Sequence, residues 1–130
     1  MKRAGMLALF VAVGVIGCAS GGMTNNPASN AGIITRGEIV SAGSGNAYEI
    51  IRRLRPNFLR AHGATTVGQA QELSAFPNVY LDGLMYGDIN SLRNIDATQM
   101  DEVRMYGAAE AQTRFGSGNS NGVIAITSRK

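Results

Sequence analysis

Apolar and polar residues follow clear periods in the C-terminal half of the chain. Asn78 to Leu81 and Leu84 to Tyr86 are two mainly apolar runs separated by Asp82-Gly83. The Asp-Gly pair accepts the positive φ angles of a two-residue turn. This pattern predicts a β-hairpin from Asn78 to Tyr86.

Two strands and a helix are predicted after the hairpin. Asp101 to Tyr106 alternates polar and apolar residues, and Val123 to Thr127 is a short, mostly β-branched run typical of a buried strand. Between them, Ala108 to Phe115 consists mostly of good helix formers and is followed by Gly116. The order predicts a βαβ unit, in which the two strands are parallel and joined by a right-handed crossover.

A helix with one apolar face is predicted between Asn46, a suitable N-cap, and Pro56, which cannot continue a helix. Its apolar residues lie at i, i+3, i+4 and i+7: Ala47, Ile50, Ile51 and Leu54. Burying the three larger side chains contributes about 5 to 9 kcal/mol. We therefore expect packing, more than helix propensity, to stabilise this helix.

Weaker patterns surround this helix. Ile33-Ile34 suggests a short strand, and Thr35 with Glu38 has the form of a capping box that opens a short helix. Phe58-Leu59-Arg60 suggests another strand. Ala61 to Phe76 shows no sustained period and predicts a loop, with one or two helical turns within residues 67–73.

The predicted elements combine into a small α/β (α+β) domain. We expect a mixed β-sheet, the hairpin, the C-terminal βαβ unit and two or three short helices, with residues 108–114 covering one face of the sheet. One core should contain Ile50, Ile51, Leu54, Val79, Leu81, Val103, Met105, Val123, Ile124 and Ile126.

An ordered set of short motifs resembles a known family. The chain contains, in this order, Val79-Tyr80-Leu81-Asp82-Gly83, Ile89-Asn90-Ser91-Leu92, Asp101-Glu102-Val103, residues 106–111, Phe115-Gly116-Ser117 and residues 121–127. This set resembles the plug domain of TonB-dependent outer-membrane receptors over roughly residues 35–130. The resemblance implies a plug-like fold for residues 33–130.

The N-terminus has the pattern of a secretory signal peptide. Lys2 and Arg3 precede an apolar stretch from Ala4 to Gly17, and polar residues begin at Ser20. Because a transmembrane helix needs about twenty apolar residues, this run predicts a cleaved signal peptide, residues 1–17.

Gly17-Cys18, after apolar Val15 and Ile16, resembles the lipobox of bacterial lipoproteins. The resemblance implies lipidation of Cys18 with acyl chains such as palmitate, and two or three chains anchor a protein durably. Without an Asp at Ala19 or Ser20, it also implies the outer membrane, with the protein facing the periplasm. The alternative is a buried free cysteine at the end of an uncleaved segment.

Composition and charge add little to the predicted fold and function. Removing residues 1–17 takes away Lys2 and Arg3, so the basic count falls from 12 to 10 against 9 acidic residues. A nearly neutral domain gives no support to nucleic-acid binding. Residues 18–32 are rich in Ser, Gly, Asn and Ala, which predicts a flexible tether after the lipidated cysteine.

One cluster of four arginines allows two interpretations. Arg52, Arg53, Arg55 and Arg60 lie within and just after the predicted amphipathic helix. The cluster could meet anionic lipid phosphates, or it could be a solvated helix face whose arginines pair with residues such as Glu49 or Asp101.

Candidate catalytic chemistry is sparse. His62 is the single histidine, and Cys18 is the single cysteine, so no metal-ligand spacing or nucleophile, base and orienting partner can be assembled. The glycine-rich run Gly116 to Gly122 follows a helix, the reverse of the context in which a helix N-terminus binds phosphate. We expect no enzyme, no cofactor and no metal site.

The expected function is therefore binding at the cell envelope. No barrel-forming segment follows Lys130, so we expect a plug-like domain without its own barrel, whose partner is an outer-membrane barrel or another envelope protein. The alternative is an accessory or structural subunit of an outer-membrane transport system with no ligand of its own. Contacts are expected from residues 82–90 and 116–122, with Tyr86, Asp88 and Asn119 as candidates.

Overall fold

The computed structural model describes residues 31–62 and 75–130. The predicted signal peptide, Cys18 and the tether up to residue 30 lie outside these residues. So do the helical turns expected within residues 67–73. The predictions made for these residues therefore stay predictions.

The described residues form strands and α-helices joined by short 3-10 helices. The strands are β1 (Ile33–Ile34), β2 (Asn78–Leu81), β3 (Leu84–Gly87), β4 (Met100–Tyr106) and β5 (Val123–Ser128). The α-helices are α1 (Arg36–Ala42), α2 (Ala47–Leu54) and α3 (Ala108–Phe115), and the 3-10 helices are Pro56–Leu59, Ile89–Asn94 and Ala97–Gln99.

The strands form one five-stranded mixed sheet in the order β1-β4-β5-β2-β3. β2 and β5 are parallel, whereas the other neighbouring pairs are antiparallel. The expected small α+β domain with a mixed sheet is confirmed. The hairpin is also confirmed, because Leu81 pairs with Leu84 across a turn in which Asp82 and Gly83 have φ angles of 51° and 84°.

The predicted parallel pairing of the last two strands is wrong. β4 and β5 are antiparallel, and Tyr106 at the end of β4 pairs with Val123 at the start of β5. α3 has 8 residues and so advances about 12 Å along its axis. Hydrogen bonds from the Asn119 N–H to the Gly116 carbonyl and from the Gly122 N–H to the Asn119 carbonyl then turn the chain back. The chain therefore returns to the end of the sheet that it left, and no crossover forms.

The main core lies on one face of the sheet, beneath α1, α2 and the 3-10 helices. Ala47, Ile50 and Ile51 of α2 are buried, and Leu54 packs at the margin. Nine of the residues expected in one core lie in or against this cluster: Ile50, Ile51, Leu54, Val79, Leu81, Val103, Met105, Ile124 and Ile126. Val123 instead faces a second, smaller cluster with Tyr106 and Ala111, which α3 covers on the opposite face.

Of the two local predictions at the ends of α2, the N-cap is confirmed and the strand after the helix is wrong. The Asn46 side chain accepts a hydrogen bond from the Glu49 N–H at 3.0 Å, as expected of an N-cap. The strand expected at residues 58–60 is wrong, because Pro56 opens a 3-10 helix that buries Phe58 in the main core. Phe58 thus reaches the core beside α2 without joining the sheet.

Candidate docking surface

β3 forms one edge of the sheet and carries large apolar side chains that the fold leaves uncovered. Leu84, Met85 and Tyr86 are 75%, 64% and 43% exposed. Single exposed apolar residues are common on soluble proteins, whereas consecutive ones on a strand edge are not. We therefore take β3 and its flanking loops, residues 82–90, as the candidate docking surface.

The hairpin turn is held against the end of β5. The Asp82 carboxylate accepts hydrogen bonds from the Ser128 N–H at 2.8 Å and from the Ser128 hydroxyl at 2.5 Å. These bonds to the ionised form lower the pKa of Asp82 below its ordinary value. The position of β3 is thus set both by its pairing with β2 and by this contact.

The side chains of β3 divide between the two faces of the sheet. Leu84 lies opposite Leu81, and Met85 lies opposite Tyr80. Because directly opposite residues share a face, Leu84 extends the face of the main core and Met85 extends the face that α3 partly covers. Apolar surface is therefore present on both sides of the β3 edge.

Asp88 lies just beyond β3 and has a structural role. Its carboxylate accepts hydrogen bonds from the Asn90 N–H at 2.9 Å and the Ser91 N–H at 3.2 Å, and so caps the 3-10 helix Ile89–Asn94. That helix buries Ile89 and Leu92 in the main core. Asp88 is exposed, but replacing it with a residue that cannot cap would disturb the loop as well as the surface.

Asn119 is not available as a partner contact, contrary to expectation. Its side chain is only 3% exposed. The amide Nδ2 donates to the carbonyl oxygens of Phe115 and Gly116, each at 3.1 Å, and to the Tyr80 hydroxyl at 3.3 Å. The amide oxygen accepts from the Asn78 Nδ2 at 2.9 Å. Through these hydrogen bonds, Asn119 links the α3–β5 connection to β2.

The docking surface has a simple charge pattern. Asp82 and Asp88 lie before and after β3, and both are exposed. β3 itself carries no charged residue, since its sequence is Leu-Met-Tyr-Gly. The Asp82 carboxylate is bonded to Ser128 at the end of β5 and lies close enough to Lys130 for that charge to lower its pKa, whereas the Asp88 carboxylate caps the following 3-10 helix. Both negative charges are therefore engaged within the fold.

The arginine group divides according to intramolecular contacts. The Arg55 guanidinium pairs with the Glu38 carboxylate at 2.8 Å, and Arg53 donates a hydrogen bond to the Ala42 carbonyl. Arg52 and Arg60 are exposed. Half of the group therefore helps to hold α1 against α2, which favours the interpretation of a helix face over a lipid-binding cluster.

His62, the single histidine, makes a local contact. Its ring lies 3.2 Å from the Asn57 carbonyl oxygen. Across residues 31–62 and 75–130, no group of His, Cys, Asp or Glu side chains could hold a metal ion. In the same ranges, no helix has the length and apolar character needed to cross a membrane.

The sequence placed contacts within residues 82–90 and singled out Tyr86 and Asp88, but it did not single out Leu84 and Met85. In the sequence, these two residues belong to the second apolar run of the hairpin. That pattern is equally compatible with a strand at the centre of a sheet and with a strand at its edge.

A scan of known protein families finds no matching family model, and a search of the curated proteins finds no matching sequence.

Proposed function

We propose that this chain is a lipid-anchored cell-envelope protein whose plug-like domain is a non-catalytic binding or docking module. One observation carries the proposal: the exposed apolar β3 edge, whose position is set by the Asp82–Ser128 contact and the Asp88 cap. Exposed apolar surface on a well-held element is typical of protein docking sites.

The envelope location rests on Cys18. Its lipobox-like context supports lipidation, anchoring at the outer membrane and a domain that faces the periplasm. The ordered motifs of residues 79–127 support the relationship to plug domains. A partner would then be an outer-membrane barrel or another envelope protein, and nucleic acid is not a partner.

The three carboxyls with shifted pKa values in the described residues have structural roles. The pKa values of Glu38, Asp82 and Asp96 are lowered, and in each case the leading cause is a hydrogen bond from a neighbouring backbone N–H or hydroxyl group. Each carboxylate closes a helix N-terminus or a turn. These hydrogen bonds stabilise local structure around each carboxylate.

The proposal is tested by crosslinking and pull-down with the anchored protein from its own membranes. The variant Leu84→Ser with Tyr86→Ser removes apolar surface from β3. Val40→Ser is the matched control, because Val40 is 63% exposed but lies on α1. We expect the β3 variant to lose partner capture and the Val40→Ser variant to retain it, with unfolding free energies within about 1 kcal/mol of the parent.

Three results would contradict the proposal. Equal capture by the parent and the β3 variant would reject this surface. Absence of any captured partner would favour the accessory or structural role, and a hydrolytic or transfer activity that survives purification would reject the non-catalytic interpretation.

A further inference from the structure

We infer that Asn121-Gly122 is a deamidation site, which the folded domain protects and which unfolding exposes to reaction with water. It is the only Asn-Gly pair in the sequence. Glycine favours this reaction, because no Cβ crowds the backbone nitrogen that follows the asparagine. The inference concerns a covalent modification and is independent of the proposed docking function.

The reaction uses the backbone of Gly122 as the nucleophile. The Gly122 nitrogen loses its proton to solvent base and attacks the Asn121 Cγ, which closes a cyclic succinimide. The Cγ–Nδ2 bond breaks, and the nitrogen takes up a proton and leaves as ammonia. Water then adds to either ring carbonyl and breaks its bond to the ring nitrogen, which gives aspartate or isoaspartate. Water is consumed and ammonia released, without oxidation or reduction.

Hydrogen bonds hold the nucleophile in the folded domain. The Gly122 N–H donates to the Asn119 carbonyl at 3.1 Å, and the Gly122 carbonyl accepts from the Asn78 N–H at 3.2 Å. Gly122 is buried. Ring closure removes the proton that makes the first bond, and the backbone rotation that brings the nitrogen to Cγ moves the carbonyl of the second. Both bonds therefore oppose the reaction.

Packing also leaves Gly122 little room to move. A Cβ built on Gly122 would lie 2.6 Å from the Tyr106 carbonyl oxygen and 3.1 Å from the Met105 Cε. The end of β4 thus fills the space beside the Gly122 Cα, and close-packed interiors resist such shifts. The reaction therefore requires the α3–β5 connection to open first.

The isoaspartate product would prevent β5 from pairing correctly. It adds one carbon to the main chain immediately before β5, which is the central strand of the sheet. Val123, the next residue, pairs with Tyr106 of β4 and with Asn78 of β2. Because register is strongly specified where a strand has a buried face, the longer backbone cannot restore both pairings. Prolonged unfolding would thus become irreversible through this one bond.

The test follows the Asn121 amide in the full chain by peptide mass spectrometry. The protein is incubated at mildly alkaline pH in buffer alone and in a urea series that spans its unfolding transition. We expect deamidation at Asn121 to be at least about a hundredfold faster in the unfolded chain, and the rate to follow the unfolded fraction. Asn78-Val79 is the internal control, because the branched Val side chain crowds the attacking nitrogen, and its amide should persist in both conditions.

Matched variants test whether the α3–β5 connection limits the reaction. Asn119→Ala keeps the backbone carbonyl that accepts from Gly122 but removes the side-chain bonds that link the connection to Tyr80 and Phe115. We expect it to raise the rate in buffer about tenfold or more. Ser120→Ala, at an exposed position of the same connection, should leave that rate unchanged. Each variant's rate in urea corrects for any change in intrinsic reactivity.

A third variant separates charge from backbone lengthening. Asn121→Asp carries the aspartate product with a normal main chain. After urea is removed, we expect Asn121→Asp to refold with the melting temperature of the parent, whereas the isoaspartate form of the parent, separated by chromatography, should not refold.

Each other outcome overturns a stated part of the inference. Equal rates in buffer and in urea reject protection by the fold, and a persistent Asn121 amide in urea rejects the site. An unchanged rate in folded Asn119→Ala rejects opening of the connection as the limiting step. If that variant is unfolded in buffer, its Asn121 should react at the urea rate, and a slower reaction contradicts the inference. An isoaspartate form that refolds like the parent rejects the effect on β5.

Discussion

At the scale of single residues, Asn119 shows how one amide connects segments that are distant in the chain. It joins Asn78 and Tyr80 of the hairpin to the carbonyls of Phe115 and Gly116 at the C-terminal end of α3. Buried amides with several partners are expensive to remove, because the partners lose their hydrogen bonds without gaining water.

We therefore expect Asn119→Ala to lower the free energy of unfolding by about 1 to 3 kcal/mol. Ser120→Ala is the control, because Ser120 is exposed in the same connection and should change stability by less than about 0.5 kcal/mol. Urea unfolding of both variants measures the difference. Equal effects would mean that the amide network contributes little.

Three carboxylates determine how stability responds to acid. Hydrogen bonds from the Thr35 N–H, from Ser128 and from Thr98 lower the pKa of Glu38, Asp82 and Asp96, respectively. A carboxyl whose pKa is lower in the folded state stabilises the fold above its unfolded pKa and loses that contribution as pH falls through the folded value.

The melting temperature should thus stay nearly constant above about pH 5 and fall as the pH drops through the ordinary values, 4.5 for Glu38 and 3.8 for Asp82 and Asp96. Thermal unfolding at a series of pH values measures this profile. Replacing the three with Gln, Asn and Asn should flatten the acid limb. A melting temperature that rises below pH 4 would contradict the assignment.

At the scale of elements, two glycines allow the chain reversals that position the strands. Gly83 in the hairpin turn and Gly122 before β5 have φ angles of 84° and 88°. A Cβ at Gly83 would meet open space, whereas a Cβ at Gly122 would lie 2.6 Å from the Tyr106 carbonyl oxygen. Gly122 thus permits the close approach that starts β5 beside the end of β4.

Gly83→Ala should destabilise the fold by about 1 to 2 kcal/mol, the cost of a left-handed conformation for a residue with a Cβ. Gly122→Ala should cost more, because the same backbone strain is joined by a steric clash with main-chain atoms. Chemical unfolding of the two variants compares them directly. If the two costs are equal, the approach of β4 and β5 at this point is not restrictive.

At the scale of the whole molecule, the proposed lipidation of Cys18 would anchor the domain at a membrane. Cys18→Ala should abolish lipidation and release the protein from membranes, because the acyl chains supply the anchoring energy. Membrane fractionation before and after a high-salt wash measures the release, and mass spectrometry of the parent detects the acyl chains. A Cys18→Ala protein that stays wholly with the membrane would contradict the lipobox interpretation.

The amino-acid sequence by itself determined the local features of this protein. Asp82-Gly83 specified a two-residue hairpin, and Asn46 and Pro56 bracketed α2 with its apolar face, because these signals act between residues a few positions apart. The small mixed α+β class followed from the order of such elements.

Only the tertiary structure decided how the elements meet. Strand, helix and strand over residues 100–128 are equally compatible with a crossover and with a return, and the close approach of Gly122 to Tyr106 selects the antiparallel return. Likewise, Leu84 and Met85 are exposed because β3 lies at the edge of the sheet, and Asn119 is buried because α3 folds back toward Tyr80. These outcomes depend on contacts between residues far apart in the chain, which no local pattern encodes.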